Sequence, residues 1–84
     1  MVIPLNMIEP GQAGEIVFLD DTCPMGGRLK DLGFIPGAKV SCVLQKRKKN
    51  IAAYLVRSAV IALRRQDSAS VFVREIPVSG EAAL

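Results

Sequence analysis

The sequence predicts a mainly β fold: a small, five-stranded, partly open barrel with one short helix inserted after the first barrel strand. Five short apolar segments, separated by polar or turn-forming residues, are typical of strands, and one segment after the first of them has helical spacing. The 84 residues allow one domain. Closing five short strands into a barrel removes most of the exposed edges that an open sheet would have.

The helix is predicted from its apolar spacing and from its two ends. Met25, Leu29 and Leu32 are spaced so that all three lie on one face of a short helix. Thr22 is expected to cap the N-terminus, and Gly33 to end the helix in the left-handed conformation. The apolar face is expected to cover the core.

The strands are bounded by turn signals. They are predicted at residues 14–19, 39–45, 51–56, 59–64 and 70–76. Proline-glycine pairs at residues 10–11 and 36–37 predict tight turns before the first two of these strands. A polar stretch at residues 46–50 predicts the tip of the hairpin between the second and third strands.

Alternation within the strands predicts which side chains are buried. In the second strand, Val40, Cys42 and Leu44 recur at period two and are expected to point inward. The same argument places Phe18 and Phe72 in the core. With those two rings buried, the chain offers few aromatic side chains for stacking on bases.

Residues 1–77 are expected to form the single domain, with residues 78–84 as a frayed tail. Leu5 and Ile8 of the lead-in are expected to dock on the core. The N-terminus lacks the features of a signal peptide, and no apolar run approaches the ~20 residues that span a bilayer. We therefore expect a cytoplasmic protein that reaches the inner membrane only through a partner.

Positive charge is concentrated in the middle of the chain. Residues 32–66 contain eight Lys or Arg and no acid, although the formal net charge of the whole chain is +3. Four of the eight are adjacent, at residues 46–49. Because such a block repels itself, it favours a role in binding acidic protein, phospholipid head groups or nucleic acid, with a solvated hairpin tip as the alternative.

The sequence predicts neither a catalytic site nor a metal site. It contains no histidine to serve as a general base. Cys23 and Cys42 have no further ligand at zinc-binding spacing, and the adjacent Asp20 and Asp21 are better explained as a solvated turn. We predict no catalytic residue, no metal ligand and no cofactor.

Several motifs together resemble those of the FeoA family. The most specific is Arg-Leu-x-x-Leu-Gly-x-x-Pro-Gly at residues 28–37, and further matches lie at residues 9–16, 61–64 and 71–73. The resemblance covers most of residues 5–73. It implies an SH3-like barrel, which the pattern of strands alone does not distinguish from an OB-fold.

The resemblance also implies a function. It indicates a non-enzymatic accessory module of bacterial ferrous iron uptake that binds the cytoplasmic side of the GTP-hydrolysing permease FeoB. Transition-metal binding is associated with the family, but this sequence offers no ligand set for it. The chain departs from the family at residues 48–51, where many members have Gly-Asp-Pro, and at Ser58, where a glycine is usual.

The residues predicted to bind a partner form two groups. The helix group is Met25, Arg28, Leu29, Lys30 and Phe34, and the hairpin group is Lys46, Arg47, Lys48 and Lys49. A strand edge left open by the barrel is a third candidate surface, because such an edge accepts a peptide strand. The expected partners are a FeoB-like permease and an anionic membrane surface. A nucleic-acid-binding barrel and a repressor-type regulatory domain are the alternatives.

Overall fold

Six antiparallel strands form one sheet in the computed structural model, which describes residues 1–20, 22 and 24–77. The strands are β1 (Val2–Pro4), β2 (Ala13–Leu19), β3 (Lys39–Lys46), β4 (Ile51–Val56), β5 (Ala59–Arg64) and β6 (Val71–Ile76). Their order in the sheet is β1-β6-β2-β3-β4-β5, so β1 and β5 are the edges. Helix α1 (Gly26–Asp31) follows β2, as predicted, and a second short helix, α2 (Arg65–Ser68), follows β5.

The five predicted strands are confirmed, each within one residue of its expected ends. The additional strand, β1, comes from the lead-in and pairs with β6. A 3-10 turn at Leu5–Met7 follows it. This turn places Leu5 and Ile8 in the core, where both are fully buried, as the sequence predicts.

The core lies on the inner face of the curved sheet. Its fully or nearly fully buried apolar residues are Leu5, Ile8, Ile16, Leu19, Leu29, Phe34, Val40, Cys42, Ala52, Tyr54, Val56, Leu63, Val71 and Val73. Met25 and Leu32, which flank the two ends of α1, pack against this cluster. The apolar face predicted for the helix therefore does cover the core.

A bulge in β3 reverses the predicted orientation of Leu44. The register between β3 and β4 shifts between Cys42 and Leu44, which leaves Val43 as an extra residue. Val40 and Cys42 are buried as predicted, but 49% of the surface of Leu44 is exposed. The prediction for Leu44 was wrong because an extra residue in a strand exchanges its two faces beyond that point.

A second bulge, in β2, brings Phe18 to the surface. The register with β6 shifts between Ile16 and Phe18, and 47% of the Phe18 side chain is exposed. Its ring stacks on that of the half-buried Phe72, with the ring centroids 4.5 Å apart and an angle of 13° between the planes. The prediction for Phe18 was wrong for the same reason as for Leu44. The prediction for Phe72 was wrong because this residue alternates with the buried Val71 and Val73 on β6.

Helix α1 begins later than the sequence predicts. Met25 precedes its first residue, and no side chain caps its N-terminus. Thr22 instead uses both of its donors on Asp20: its hydroxyl lies 2.6 Å and its main-chain nitrogen 3.0 Å from Asp20 Oδ1. The predicted capping role of Thr22 was wrong because the aspartate side chain forms a local turn with it.

The end of α1 is confirmed at Gly33, whose φ is +109°. The main-chain nitrogen of Phe34 donates to the carbonyl of Leu29 at 3.0 Å, and that of Gly33 to the carbonyl of Lys30 at 3.0 Å. These two bonds form a Schellman motif, which normally carries an apolar contact between the residues in the positions of Leu29 and Phe34. Both are fully buried here.

Two alanine substitutions compare buried and exposed leucines. Because Leu29 is fully buried and Leu44 is not, Leu29→Ala is expected to lower the free energy of unfolding by about 2–5 kcal/mol. Leu44→Ala should lower it by less than about 1 kcal/mol. Urea unfolding monitored by circular dichroism measures both. Equal losses would mean that Leu44 points inward, as simple alternation predicts.

Candidate partner-binding surface

The basic hairpin is a defined turn. After β3, residues Arg47–Lys49 form a 3-10 turn, and Asn50 ends it in the left-handed region, at φ 55° and ψ 39°. Asn50 donates its main-chain N–H to the carbonyl of Arg47 at 3.2 Å, and its own carbonyl accepts from Arg65 at 2.8 Å. The turn therefore holds four exposed basic residues at one end of the sheet.

Most of the charge in this hairpin is uncompensated. Arg47 pairs with Glu9 at 3.6 Å, and both side chains are largely exposed. Such a surface pair contributes less than about 1 kcal/mol and is screened by salt. Lys46, Lys48 and Lys49 form no ion pair with any described residue. An acidic surface that approaches the hairpin thus meets three lysines that form no ion pair with a described carboxylate.

A groove of about 240 Å³ adjoins the hairpin. Its walls include Asn6, Glu9, Arg47 and Arg65, and Tyr54 lies at its base. The Tyr54 hydroxyl and the Asn6 Oδ1 atom are both shielded from solvent and have no hydrogen-bond partner in the described part of the chain. Two buried polar atoms beside the groove are therefore left without a hydrogen bond that meets ordinary geometry among the described residues, which is unfavourable for folding.

The environment of Tyr54 also disfavours its ionisation. Burial raises the pKa of Tyr54, and the neighbouring Ser68 hydroxyl offsets only a part of this effect. Ser68 donates its own proton to the carbonyl of Arg65 at 3.1 Å. The folded protein therefore binds the phenolic proton more tightly than the unfolded chain does.

Removing the Tyr54 hydroxyl is expected to be harmless or favourable. Tyr54→Phe deletes an unsatisfied buried group, so the free energy of unfolding at neutral pH should stay constant or rise by about 1 kcal/mol. The pKa of Tyr54 is raised on folding. The raised pKa therefore adds to the free energy of unfolding below the ordinary tyrosine pKa of about 10, and this stabilisation is lost as the pH rises beyond that value. The Tyr54→Phe variant should not lose stability in this way.

Chemical unfolding of the two proteins at a series of pH values tests this prediction. Cys42, whose pKa burial also raises, is present in both proteins, so the difference between them reports Tyr54 together with its interaction with Cys42. Because the chain has one tyrosine, ultraviolet titration of the parent reports that residue alone. A Tyr54→Phe variant less stable than the parent by more than 1 kcal/mol at neutral pH would mean that the hydroxyl has a partner.

The helix group presents less surface than predicted. Arg28 and Lys30 are exposed and Met25 is half-buried. Leu29 and Phe34 are fully buried beneath the C-terminus of α1. The predicted partner-binding role does not fit these two residues, because their side chains are buried in the core and offer no surface to a partner.

The two predicted groups approach each other at the end of β5. Met25, at the N-terminus of α1, lines one cleft together with Arg64 of β5. Arg64 pairs with Ile51, which in turn pairs with Lys46 at the start of the hairpin. Met25 and the hairpin therefore lie near the same end of β4 and β5.

The described residues hold no cluster of three or more His, Cys, Asp or Glu side chains that could bind a metal ion. Cys42 is buried, and desolvation raises the pKa of its thiol, which disfavours the reactive thiolate. Thr22 lowers the pKa of Asp20 through two hydrogen bonds. Cys23 and Asp21 lie outside the described residues, as does the predicted tail at residues 78–84.

One exposed apolar surface was not predicted. It lies on the outer face of β3, β4 and β5, and its large side chains are Val43, Leu44, Leu55 and Val60. Leu55 alternates with the buried Tyr54 and Val56, so alternation alone could have placed it outside. The exposure of Val43 and Leu44 depends on the bulge in β3, which no local signal in the sequence indicates.

These features define a class of protein: a small SH3-like β domain with short helices after β2 and β5 and a basic hairpin on its surface. A family model for the FeoA domain matches residues 3–75. The chain therefore belongs to the FeoA family, which is linked to ferrous iron transport. Among curated proteins, none matches the sequence.

Solved structures support the fold. An iron uptake regulatory protein (FeoA) superposes with a TM-score of 0.78 at 24% identity, over 90% of this chain and 99% of that one. FeoA from Stenotrophomonas maltophilia complexed with zinc gives 0.75 at 22% identity, over 88% and 89% of the two chains. A manganese-dependent transcriptional repressor gives 0.83 at 14% identity, over 89% of this chain and 41% of the repressor.

The described residues, 1–20, 22 and 24–77, include no helix with the length and apolarity needed to cross a bilayer.

Proposed function

We propose that the chain is a non-enzymatic accessory module of ferrous iron uptake that binds the cytoplasmic side of the GTP-hydrolysing permease FeoB. Membership of the FeoA family supports the transport system. The single structural observation that supports binding is the ordered hairpin with Lys46, Lys48 and Lys49 exposed and without ion pairs among the described residues.

The hairpin acts mainly on the rate of encounter. Exposed charges at a rim steer an oppositely charged partner into place, and they contribute less to the lifetime of the complex. The same lysines are attracted to the anionic lipid surface beside a membrane permease. Arg28, Lys30 and Met25 form a second contact surface in this proposal.

A nucleic-acid-binding function has one observation in its favour: Phe18 and Phe72 are not in the core. Single-strand binding requires aromatic rings beside a basic groove. Here the two rings stack on each other, so the ring faces that meet are not available to a base. The permease proposal is therefore preferred.

Neutralising part of the hairpin should slow association. The double variant Lys48→Gln, Lys49→Gln removes two charges from exposed positions, so each change should alter stability by less than about 0.5 kcal/mol. Its association rate with the soluble GTPase domain of the permease is expected to fall, and the dependence of that rate on salt should flatten. Surface binding at several salt concentrations measures both quantities, with anionic vesicles as a second target.

The matched control is Lys39→Gln, Arg74→Gln, which removes the same charge from an exposed cross-strand row that also contains Glu15. This variant should associate at a rate close to that of the parent. A titration with single-stranded DNA at about 0.15 M salt accompanies each protein. Submicromolar DNA binding that depends on Lys48 and Lys49, with no binding to the permease domain, would support the nucleic-acid function instead.

A metal titration tests whether the chain acts without its own metal site. Tight binding of Fe²⁺ or Zn²⁺ normally needs three or four converging ligands. We expect isothermal calorimetry to show no one-to-one site tighter than about micromolar for either ion. A tight site that is abolished by Cys23→Ser would contradict this expectation and would make the module a metal sensor.

A further inference from the structure

The two edges of the sheet are protected very differently. β1 has three residues and ends at Pro4, so it offers little backbone for pairing. β5 has six residues and no proline, and its six pairs with β4 run without a register shift. Natural proteins normally shorten, bulge or charge an exposed edge strand. The only charge on β5 is Arg64, at its last position.

The free edge of β5 presents the main-chain groups of alternate residues. Arg57 and Ser58, both with positive φ, form the two-residue turn between β4 and β5. In such a hairpin the pair that flanks the turn is hydrogen-bonded, and the pairs then alternate. The main-chain hydrogen bond from the Arg65 N–H to the Asn50 carbonyl falls at a pair where this alternation predicts one. The N–H and C=O groups of Val60, Ala62 and Arg64 therefore point away from β4.

An open cleft lies along this edge. It has a volume of about 640 Å³, with Ala62, Leu63 and Arg64 on one side and Pro24 and Met25 on the other. Two carboxylates, Asp20 and Asp67, also line it. This is the gap at which the barrel fails to close, since β5 pairs with β4 alone in the described sheet. A partner strand has both room and main-chain groups to bind there.

The side chains beside the edge indicate what such a strand would carry. On the outer face, Val60 (63% exposed) pairs with Leu55 (39% exposed). Arg64 pairs with Ile51, which in turn pairs with Lys46, so this row carries two cations and no acid. Cross-strand neighbours are favourable when apolar groups meet each other and when opposite charges meet.

We propose that β5 is a docking edge for an extended peptide segment of another protein, with an apolar residue opposite Val60 and a carboxylate opposite Arg64. Main-chain hydrogen bonds to Val60, Ala62 and Arg64 would hold the segment, and the side-chain rows would select it. Pairing with β5 of a second copy is disfavoured, because it would bring together two segments that have eight basic residues and no acid between positions 32 and 66.

The probe is a short fluorescent peptide with a valine and a glutamate four residues apart, so that both side chains lie on the same face of an extended strand, as Val60 and Arg64 do. Fluorescence anisotropy is the measurement. We expect saturable binding to the full chain, and weaker binding of a peptide in which lysine replaces glutamate. A third peptide, with N-methyl groups on alternate amides, cannot pair with an edge and should not bind. Equal binding of the methylated peptide, or no saturable binding of the glutamate peptide, would overturn the proposal.

Variants of β5 locate the contact. Ala62→Pro removes one outward-pointing N–H from an exposed position and leaves the hydrogen bonds to β4 intact. It should weaken the binding of the glutamate peptide by about tenfold. Ala62→Val keeps that N–H and should bind like the parent. Arg64→Glu should reverse the preference in favour of the lysine peptide.

The proposal can be refuted whether or not the Ala62→Pro variant folds. A folded Ala62→Pro protein that binds as tightly as the parent would refute the edge. If that variant fails to fold, the methylated peptide on the parent gives the answer. The permease domain is absent from this experiment, so its outcome does not depend on the proposed function.

Discussion

The left-handed residue at the end of α1 is the constraint on which the rest of the structure depends. Gly33 has a φ of +109°, and a Cβ atom at this position would lie 2.8 Å from Cδ of Arg57. Only glycine satisfies both conditions without strain or displacement. Because the chain reverses here, Leu29 and Phe34 pack into the core from opposite sides of the turn.

The turn that follows Gly33 is hydrogen-bonded to the sheet. Gly37, at φ +93°, donates its N–H to the carbonyl of Ile16 at 2.8 Å, and Ile16 donates to the carbonyl of Ala38 at 2.9 Å. The connection from α1 to β3 is thus bonded directly to β2. The end of the helix thereby determines where β3 begins and which of its residues face the core.

Most of the elements could be predicted from the sequence because their signals are local. Apolar runs bounded by turn residues indicated the five long strands, and the glycines in the positions of Gly33 and Gly37 indicated the turns. The bulges at Val17 and Val43 could not be predicted, because they depend on pairing with strands distant in sequence. The orientations of Phe18 and Leu44 were wrong as a direct result.

The candidate site was predictable to a similar degree. The basic hairpin follows from four adjacent charges in the sequence, which remain at the surface in any fold because burying them is too costly. Leu29 and Phe34 were predicted to bind a partner because an apolar helical face indicates a contact. It does not indicate whether that contact is with the core or with another protein. The open edge at β5 depends on the order of the strands, which single-sequence patterns do not encode.

The basic hairpin and the β5 edge are joined by one cross-strand row. Lys46 of β3 begins the row, which continues through Ile51 of β4 to Arg64 of β5, so one strand separates the charge at the hairpin from the charge at the edge. Exposed charges mainly set how fast a partner arrives, whereas main-chain pairing and buried contacts mainly set how long it stays. A partner steered by the lysines would therefore meet, across two strands, an edge able to retain it. This arrangement separates the rate of association from the lifetime of the complex within a domain too small to enclose a binding cavity.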